Sequence, residues 1–159
     1  MAHLLVVGSV ALDSVETPFG REEEVLGGSA TYFSAAASFF ARTRMVAVVG
    51  EDFPKEHTDF LLARGVDLEG LSRVPGRTFR WSGRYTHQLN EAYTLGTELN
   101  VFEHFSPRLP ESYQSSELVF LGNIHPELQS QVLEQVRKPR LVAADTMNYW
   151  IRDHLPALK

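Results

Sequence analysis

The sequence predicts an α/β fold in which a mostly parallel, Rossmann-like sheet is flanked by helices. Four short runs, at 4–8, 45–50, 118–122 and 141–145, are almost continuously apolar and rich in β-branched residues. Such runs are typical of strands that are buried on both faces of a parallel sheet. Helical patterns separate the four runs, and strands that alternate with helices in this way indicate the α/β class.

The helical patterns are predicted at 29–42, 54–64, 126–136 and 150–158. The first contains aromatic residues near helical spacing. The second and third begin with proline, which suits the first turn of a helix, and the second stops at a glycine that favours a helix end. The last helix has no strand to lead into, so we expect the 159 residues to be part of a longer protein, or another chain to cover the open edge of the sheet.

A hairpin is predicted where the chain changes to a two-residue period. Residues 78–87 and 91–102 alternate between apolar and polar side chains, and residues 88–90 are short enough to join them. An isolated hairpin is only marginally stable, so its aromatic face, with Trp81 and Tyr85, is expected to cover a site, a partner subunit or both. The segment before the first helix is predicted to add a further strand there.

Composition limits the classes of function. With 43% apolar and 22% charged residues, the 159-residue chain fits one soluble globular domain. A formal net charge of −5 gives no basic field for nucleic acid, and no apolar run is long enough to predict a membrane span. The absence of cysteine excludes disulfides and thiolate metal sites, and it favours a cytoplasmic location.

Polar residues follow each predicted strand, at the edge where α/β sheets bind ligands. Asp13 follows the first strand and can accept two hydrogen bonds from a diol, although a turn or helix-capping aspartate would look the same. Asn123 follows the third strand, and Asp145 and Asn148 follow the fourth. Exposure in loops is the alternative explanation for each of these polar residues.

Gly27 and Gly28 open the first predicted helix. Paired glycines allow a ligand to approach the backbone closely, and the free amides of a helix start favour hydroxyl oxygens or anions; a tight turn would explain the pair equally well. The sequence lacks the dinucleotide motif G-x-G-x-x-G, the Walker motif and the G-x-S-x-G motif of hydrolases. Its six histidines show no metal-ligand spacing.

The order of these features resembles the N-terminal half of the ribokinase-like (PfkB) carbohydrate and nucleoside kinases. It comprises an aspartate after the first strand, a Gly-Gly helix start, V-G-E-D-F at 49–53, R-G-V-D at 64–67 and a hairpin inserted before the third strand. Residues 27–34 look most like the adenosine-kinase branch. The resemblance covers essentially the whole chain, and the order of the motifs is more specific than any one of them.

The resemblance implies transfer of the γ-phosphoryl group of ATP, with Mg²⁺, to a hydroxymethyl group of a sugar or nucleoside. It implies that Asp13 grips substrate hydroxyls, that Gly27 and Gly28 pack against the sugar, and that Asp145 and Asn148 lie near the substrate and the phosphate path. It also implies a β-lid at about 14–26 and 77–104, which in many members forms a dimer clasp.

The chain departs from the family in two respects. An asparagine that usually follows the glycine pair is replaced by T-Y-F at 31–33, so the substrate does not follow from the resemblance. The N-x-x-E and G-A-G-D motifs, which supply magnesium binding and the catalytic base, would lie beyond Lys159. We therefore expect this chain alone to lack kinase activity. The alternatives are a non-catalytic sugar- or nucleoside-binding or interaction module and, less favoured, a small dinucleotide-binding domain.

Overall fold

The structure is a computed structural model that describes residues 2–159. Its strands, in chain order, are β1 (His3–Val7), β2 (Ala11–Thr17), β3 (Gly20–Gly27), β4 (Arg42–Gly50), β5 (Asp67–Val74), β6 (Phe79–Tyr85), β7 (Ala92–Glu98), β8 (Leu118–Leu121) and β9 (Leu141–Ala144). Its helices are α1 (Ser29–Ala37), α2 (Lys55–Ala63), α3 (Pro126–Gln135), α4 (Asn148–Asp153) and α5 (Leu155–Leu158), with short 3-10 helices at Asn100–His104 and Glu111–Tyr113.

Sheet A contains five parallel strands in the order β5-β4-β1-β8-β9, so the first strand of the chain lies at its centre. One face packs against α1 and α2 through a cluster that includes Val6, Met45 and Leu61. The other face packs against α3 and the segment around the second 3-10 helix, through a cluster that includes Tyr113 and Val132. Burial on both faces explains why the central strands are almost continuously apolar.

The α/β fold is confirmed, and all four predicted strands are present to within a few residues. The expectation of a four-stranded parallel sheet is wrong, because β5 forms a fifth strand at the edge beside β4. This strand was missed because its apolar residues, Leu68, Leu71 and Val74, are three positions apart and most of its other side chains are exposed. An edge strand with few apolar residues shows neither a buried run nor a strict alternation.

Sheet B is a mixed sheet with the strand order β3-β2-β6-β7. The predicted hairpin is present as β6 and β7, but the loop between the strands is longer than expected, and the chain beyond Glu98 forms a 3-10 helix instead of strand. Strands β2 and β3 form a second hairpin, and β2 pairs in parallel with β6. Asp13 therefore lies within β2 of this sheet, whereas the sequence placed it in a loop after the first strand.

Two helix predictions need correction. Helix α1 ends at Ala37, and its buried side chains are Ala30, Thr31 and Ser34, while the aromatic residues Phe39 and Phe40 lie beyond it and are 73% and 85% exposed. The last predicted helix is two short helices, α4 and α5, separated at His154. None of the helices in residues 2–159 has the length and apolar character needed to cross a membrane.

Candidate functional site

The site forms where the chain leaves the centre of sheet A and enters sheet B. From β1, the chain supplies β4 and β5 on one side of the sheet and β8 and β9 on the other. Ligands bind at such a switch in strand order, beyond the carboxyl ends of the strands. Only residues 8–10 separate β1 from β2, so the first residues of sheet B are held close to this position.

Two serines fix the start of α1 against the end of β1. The amide of Ser29 donates to the hydroxyl of Ser9 (3.1 Å), the amide of Ser9 donates to the hydroxyl of Ser29 (3.3 Å), and the two hydroxyls are 3.2 Å apart. Gly8 and Gly122 flank the Ser29 hydroxyl so closely that a Cβ on either would lie 2.7 or 2.6 Å from that oxygen. The ends of β1 and β8 and the start of α1 therefore meet at one point.

This arrangement changes the interpretation of the Gly-Gly helix start. The first amides of α1 were expected to be free for a ligand, but the Ser29 amide donates to the Ser9 hydroxyl and the Ala30 amide donates to the Ser9 carbonyl oxygen (3.0 Å). Gly28 has a φ of 98°, and a Cβ there would lie 2.3 Å from the same carbonyl oxygen. Gly28 therefore serves the packing of α1 against the chain after β1, which is a structural role.

Asp13 is the chemically distinctive group of the site. Its Oδ1 atom is buried and has no hydrogen-bond partner among residues 2–159. Burial raises the pKa of this carboxyl to about 6. Leaving a buried carboxylate oxygen without a donor costs free energy, and such a group indicates a place where hydroxyl or amine donors of a ligand would bind.

Gly27 gives the Asp13 carboxylate its space. Ala11 pairs with Gly27 and Asp13 with Val25 across the β2–β3 ladder, so Gly27 and Asp13 are diagonal neighbours on one face of sheet B. A Cβ at Gly27 would lie 2.0 Å from Asp13 Oδ2. The structure thus brings two of the predicted site residues into direct contact. The part played by Gly27 is to leave room for the Asp13 carboxylate.

Trp81 lies beside Asp13 on the same face of sheet B, because these two residues are register partners in β6 and β2. The indole Nε1 donates to the Thr94 hydroxyl on β7 (3.2 Å). The ring covers Gly83, where a Cβ would lie 2.0 Å from the indole Cη2 atom. Trp81 and Tyr85 are both partly buried within the chain, so their further burial by a ligand or a second subunit stays a prediction.

The other predicted residues lie at the ends of β8 and β9. The Asn123 Oδ1 atom accepts a hydrogen bond from the Trp150 indole (2.8 Å), which orients α4. The backbone amide of Asp145 donates to Leu121 (2.8 Å), and its side chain is exposed. Asn148 is the first residue of α4 and is also exposed. Asn123 adjoins the cluster at Gly122, but Asp145 and Asn148 make no side-chain hydrogen bond with the Asp13 group in the described part of the chain.

Ser9 and Gln129 are the site residues that sequence reasoning missed. Gln129 is buried in α3, and its Nε2 atom donates to the carbonyl oxygens of Gly122 (2.8 Å) and Asp145 (3.0 Å), so it ties the ends of β8 and β9 together. A buried glutamine on an otherwise apolar helix face has no distinctive spacing, and Ser9 resembles an ordinary loop serine.

The chain was compared with protein-family models, curated proteins and solved structures. No protein-family model matches the chain. A curated protein, the cytidine kinase of Thermococcus kodakarensis, is 28% identical over 143 residues, which make up 89% of this chain and 50% of that kinase. The chain thus spans about half the length of the curated relative that it matches.

Solved structures share the fold. The nucleoside kinase of Methanocaldococcus jannaschii, described as an archaeal member of the ribokinase family, superposes with a TM-score of 0.71 at 17% identity, covering 98% of this chain and 54% of that one. The nucleoside kinase of Burkholderia thailandensis, solved in complex with inosine, superposes with a TM-score of 0.69 at 18% identity, covering 83% and 46% of the two chains.

Proposed function

We propose that the chain belongs to the ribokinase-like (PfkB) family and that it is the substrate-binding part of a kinase that phosphorylates a hydroxymethyl group of a nucleoside or sugar. The observation that carries this proposal is the Asp13 carboxylate, whose buried Oδ1 lacks a donor among the described residues. A ribose or hexose diol offers two hydroxyl donors at a spacing that one carboxylate can accept. The neighbouring indole of Trp81 favours a ligand with a flat ring, and therefore a nucleoside over a free sugar.

ATP with Mg²⁺ is the phosphoryl donor that the family implies, and the Burkholderia thailandensis enzyme was also solved as an ADP–inosine complex. The residues of this chain do not fit that group. The sequence has no Walker or G-A-G-D motif, and no cluster of three or more His, Asp or Glu side chains in residues 2–159 is arranged to hold a metal ion. No step of the proposed function is therefore assigned to ATP within these residues.

We propose that the catalytic base and the phosphate-binding loop belong to a part of the protein outside these 159 residues. The state of β9 supports this. Within residues 2–159 this strand pairs only with β8, all four of its residues are exposed, and Leu141 and Val142 are 60% and 39% exposed. A parallel strand that is open at its edge and on both faces needs further protein to cover it.

We also propose that sheet B, at about 14–26 and 77–104, is the lid of the site. Tyr93 and Leu95 on β7 are 56% and 54% exposed, which supports a homodimer formed through this lid. A cytoplasmic location is proposed with it, in keeping with the cysteine-free sequence.

Ligand binding by the 159-residue chain tests the substrate side of the proposal. We expect cytidine or inosine to raise the melting temperature by about 5–10 °C at about 100 times the dissociation constant. Ribose alone should give a smaller shift, because it lacks the flat ring. If none of the three compounds changes the melting temperature at millimolar concentration, the chain does not bind a nucleoside or sugar, and the proposal is wrong.

The competing hypothesis is a non-catalytic nucleoside-binding or interaction module, which would bind the same ligands. The gene sequence downstream of codon 159 separates the two. An open frame that encodes N-x-x-E and G-A-G-D supports the kinase, and phosphorylation of cytidine or inosine by the full protein would establish it. A stop codon directly after Lys159 would favour the binding module.

Gly27→Ala is expected to weaken nucleoside binding about tenfold or more, because the new Cβ would occupy the place of Asp13 Oδ2. The carboxylate can rotate away, so we expect the fold to survive with a small loss of stability. Calorimetric titration with cytidine or inosine measures the affinity, and thermal unfolding checks the fold. Gly20→Ala in the same strand is the control, since no atom lies within 4 Å of a Cβ there. Equal affinities for both variants would contradict the assigned role of Gly27.

A further inference from the structure

Arg80 is a mostly buried guanidinium at the base of sheet B, with 14% of its side chain exposed, and it binds two carboxylates from different parts of the fold. Its Nε and Nη2 atoms donate to Glu24 Oε1 (2.9 and 2.7 Å). Its Nη1 atom lies 2.8 Å from Asp52 Oδ2 and also donates to the carbonyl oxygen of Thr78 (3.0 Å). These contacts use most of the donors that a guanidinium offers.

The Glu24 contact passes behind the strand that carries Asp13. In sheet B, β2 lies between β3 and β6, and Arg80 is the register partner of Leu12. Leu12 points into the apolar core next to α1, so Arg80 and Asp13 lie on opposite faces of the sheet. An ion pair between β6 and β3 on the core side therefore crosses β2 directly behind the Asp13 carboxylate.

The β3 end of this contact has an unusual backbone. Glu24 has a φ of 52° and lies in a stretch where the β2–β3 register is irregular, between the Asp13–Val25 and Val15–Glu22 pairs. A left-handed conformation is costly for a residue other than glycine and persists only where its surroundings enforce it. The two hydrogen bonds from Arg80 supply such an enforcing contact.

The Asp52 contact joins sheet B to sheet A. Asp52 follows β4 and accepts hydrogen bonds from the amide and the hydroxyl of Thr78, both 2.7 Å. The Thr78 hydroxyl in turn accepts from the amide of Gly50, the last residue of β4 (3.0 Å). Burial opposes the charged form of Asp52, but the hydrogen bonds from Thr78 and Arg80 outweigh it and lower the pKa of this carboxyl.

We propose that Arg80 is a positioning residue for Asp13: it spans β2 to bind Glu24 on β3, ties this part of sheet B to Asp52 at the end of β4, and thereby holds the substrate-binding carboxylate at a fixed place over the carboxyl edge of sheet A. Without this clamp, β2 keeps its ladders with β3 and β6, and Thr78 keeps its hydrogen bonds with Asp52 and Gly50, but the ion pairs that tie β3 and β6 to the end of β4 are lost. Asp13 would then lie on a strand of variable position, and a displacement of about 1 Å is enough to weaken a site by orders of magnitude.

Arg84 provides a matched control on the same strand. It lies four residues along β6 and forms an ion pair with Glu16 of β2 (2.9 Å), so it also joins β6 to β2. Its side chain is 55% exposed, however, and makes no hydrogen bond to sheet A within residues 2–159. A general loss of sheet-B charge pairing would affect both arginines, whereas the clamp requires Arg80 alone.

The first test measures the titration of the Asp13 carboxyl by NMR in Arg80→Gln and Arg84→Gln, without ligand. Burial holds the pKa of Asp13 at about 6. In Arg80→Gln we expect this pKa to move toward the ordinary aspartate range, because a mobile β2 admits water to the carboxylate. In Arg84→Gln it should not change. The same pKa in both variants would overturn the proposal.

If Arg80→Gln does not fold, Glu24→Ala decides instead, because it removes the acceptor on β3 and leaves the Arg80–Asp52 contact in place. We expect the Asp13 pKa to fall in Glu24→Ala as well. An Asp13 pKa in a folded Glu24→Ala protein that equals that of the unmodified chain would overturn the proposal equally.

The second test measures affinity for cytidine or inosine and rests on the proposed function. We expect Arg80→Gln to bind about 10 to 100 times more weakly, Arg84→Gln to bind normally, and Arg80→Lys to recover part of the loss, since an ammonium can pair with one carboxylate but not reproduce the fork. The positioning role would be overturned if a folded Arg80→Lys protein bound as weakly as Arg80→Gln. It would also be overturned if all the variants had the affinity of the unmodified chain. Failure of the unmodified chain to bind would instead reject the proposed function, and the NMR result would still decide on the clamp.

Discussion

Asp13→Asn is expected to stabilise the protein at about pH 8 while removing most of its affinity for nucleosides. Burial raises the pKa of Asp13 to about 6 from an ordinary value of 3.8. Each pKa unit corresponds to about 1.4 kcal/mol between the two protonation states. Because the side chain is partly open to solvent, which screens the effect, we expect a gain of about 1–2 kcal/mol in the free energy of unfolding.

The sign follows from proton linkage. The folded state holds the Asp13 proton up to about pH 6, while the unfolded chain releases it near pH 3.8. The folded state therefore binds more protons across this window, and stability falls as the pH rises from about 4 to above 6. The stability that the protonated carboxyl contributes is fully present below the lower value and is lost above the higher one. The amide that Asp13→Asn introduces has no proton to lose, so the variant should lack this part of the pH dependence.

Binding should change in the opposite direction. An asparagine can accept fewer hydrogen bonds from a diol and carries no charge, and a charge-assisted hydrogen bond contributes about 1.5–3 kcal/mol. The affinity for cytidine or inosine should therefore fall about 10- to 150-fold. Asp13 would then lower the stability of the free protein and raise its affinity for the ligand. Such a trade-off between stability and function is common at functional sites.

Urea unfolding at about pH 5 and about pH 8 measures the change in stability. Calorimetric titration at the higher pH measures the change in affinity for the nucleoside. Glu16→Gln is the control, because Glu16 lies on the same strand but pairs with Arg84. This substitution should change neither the affinity for the nucleoside nor the difference in unfolding free energy between the two pH values. If Asp13→Asn were less stable than the unmodified protein at the higher pH, the carboxylate would already have a stabilising partner in the free protein. The proposal that its free oxygen binds a ligand would then be wrong.

The sequence predicted the sheet-A frame well because its central strands are buried on both faces. Continuous apolar runs such as that of β1 identify such strands without reference to any other part of the chain. The exposed edge strand β5 gave no such signal, and neither did the end of α1, where Phe39 and Phe40 are exposed. These features depend on which surfaces of the folded protein remain exposed to solvent, and exposure of that kind cannot be predicted from a local sequence pattern.

The candidate site was predicted residue by residue but not as an arrangement. Asp13 was identified from its place after the first strand, yet its strand pairing, its contact with Gly27 and its clamp through Arg80 all depend on β2 lying between β3 and β6. Arg80 and Glu24 are 56 positions apart in the chain. In the sequence Arg80 appeared only as a polar member of an alternating strand, because a long-range ion pair leaves no spacing pattern.

Gly28→Ala is expected to destabilise the protein by about 3 kcal/mol or more. Gly28 has a φ of 98°, which side chains rarely adopt, and a Cβ would lie 2.3 Å from the carbonyl oxygen and 2.7 Å from the carbonyl carbon of Ser9. Both contacts are with backbone, so relief requires α1 to move away from the chain after β1. That movement would break the hydrogen bonds between Ser9 and Ser29, and conformational strain and lost contacts add together.

Gly65→Ala separates these two causes. Gly65 follows α2 with a φ of 74°, but no atom lies within 4 Å of a Cβ at that position. It should therefore show the conformational cost alone, about 1 kcal/mol. In a chain of this size we expect melting temperatures to fall by about 6–12 °C for Gly28→Ala and by about 2–4 °C for Gly65→Ala. Equal losses would mean that α1 shifts without cost.

The two neighbouring glycines then differ in a way that one experiment can resolve. Gly28→Ala should reduce stability and, through the displaced helix, binding as well. Gly27→Ala should reduce binding with little change in stability, since its Cβ meets only the rotatable Asp13 carboxylate. If both substitutions reduced stability equally, the Gly-Gly pair would be a packing motif only, and Asp13 would not owe its position to the space at Gly27.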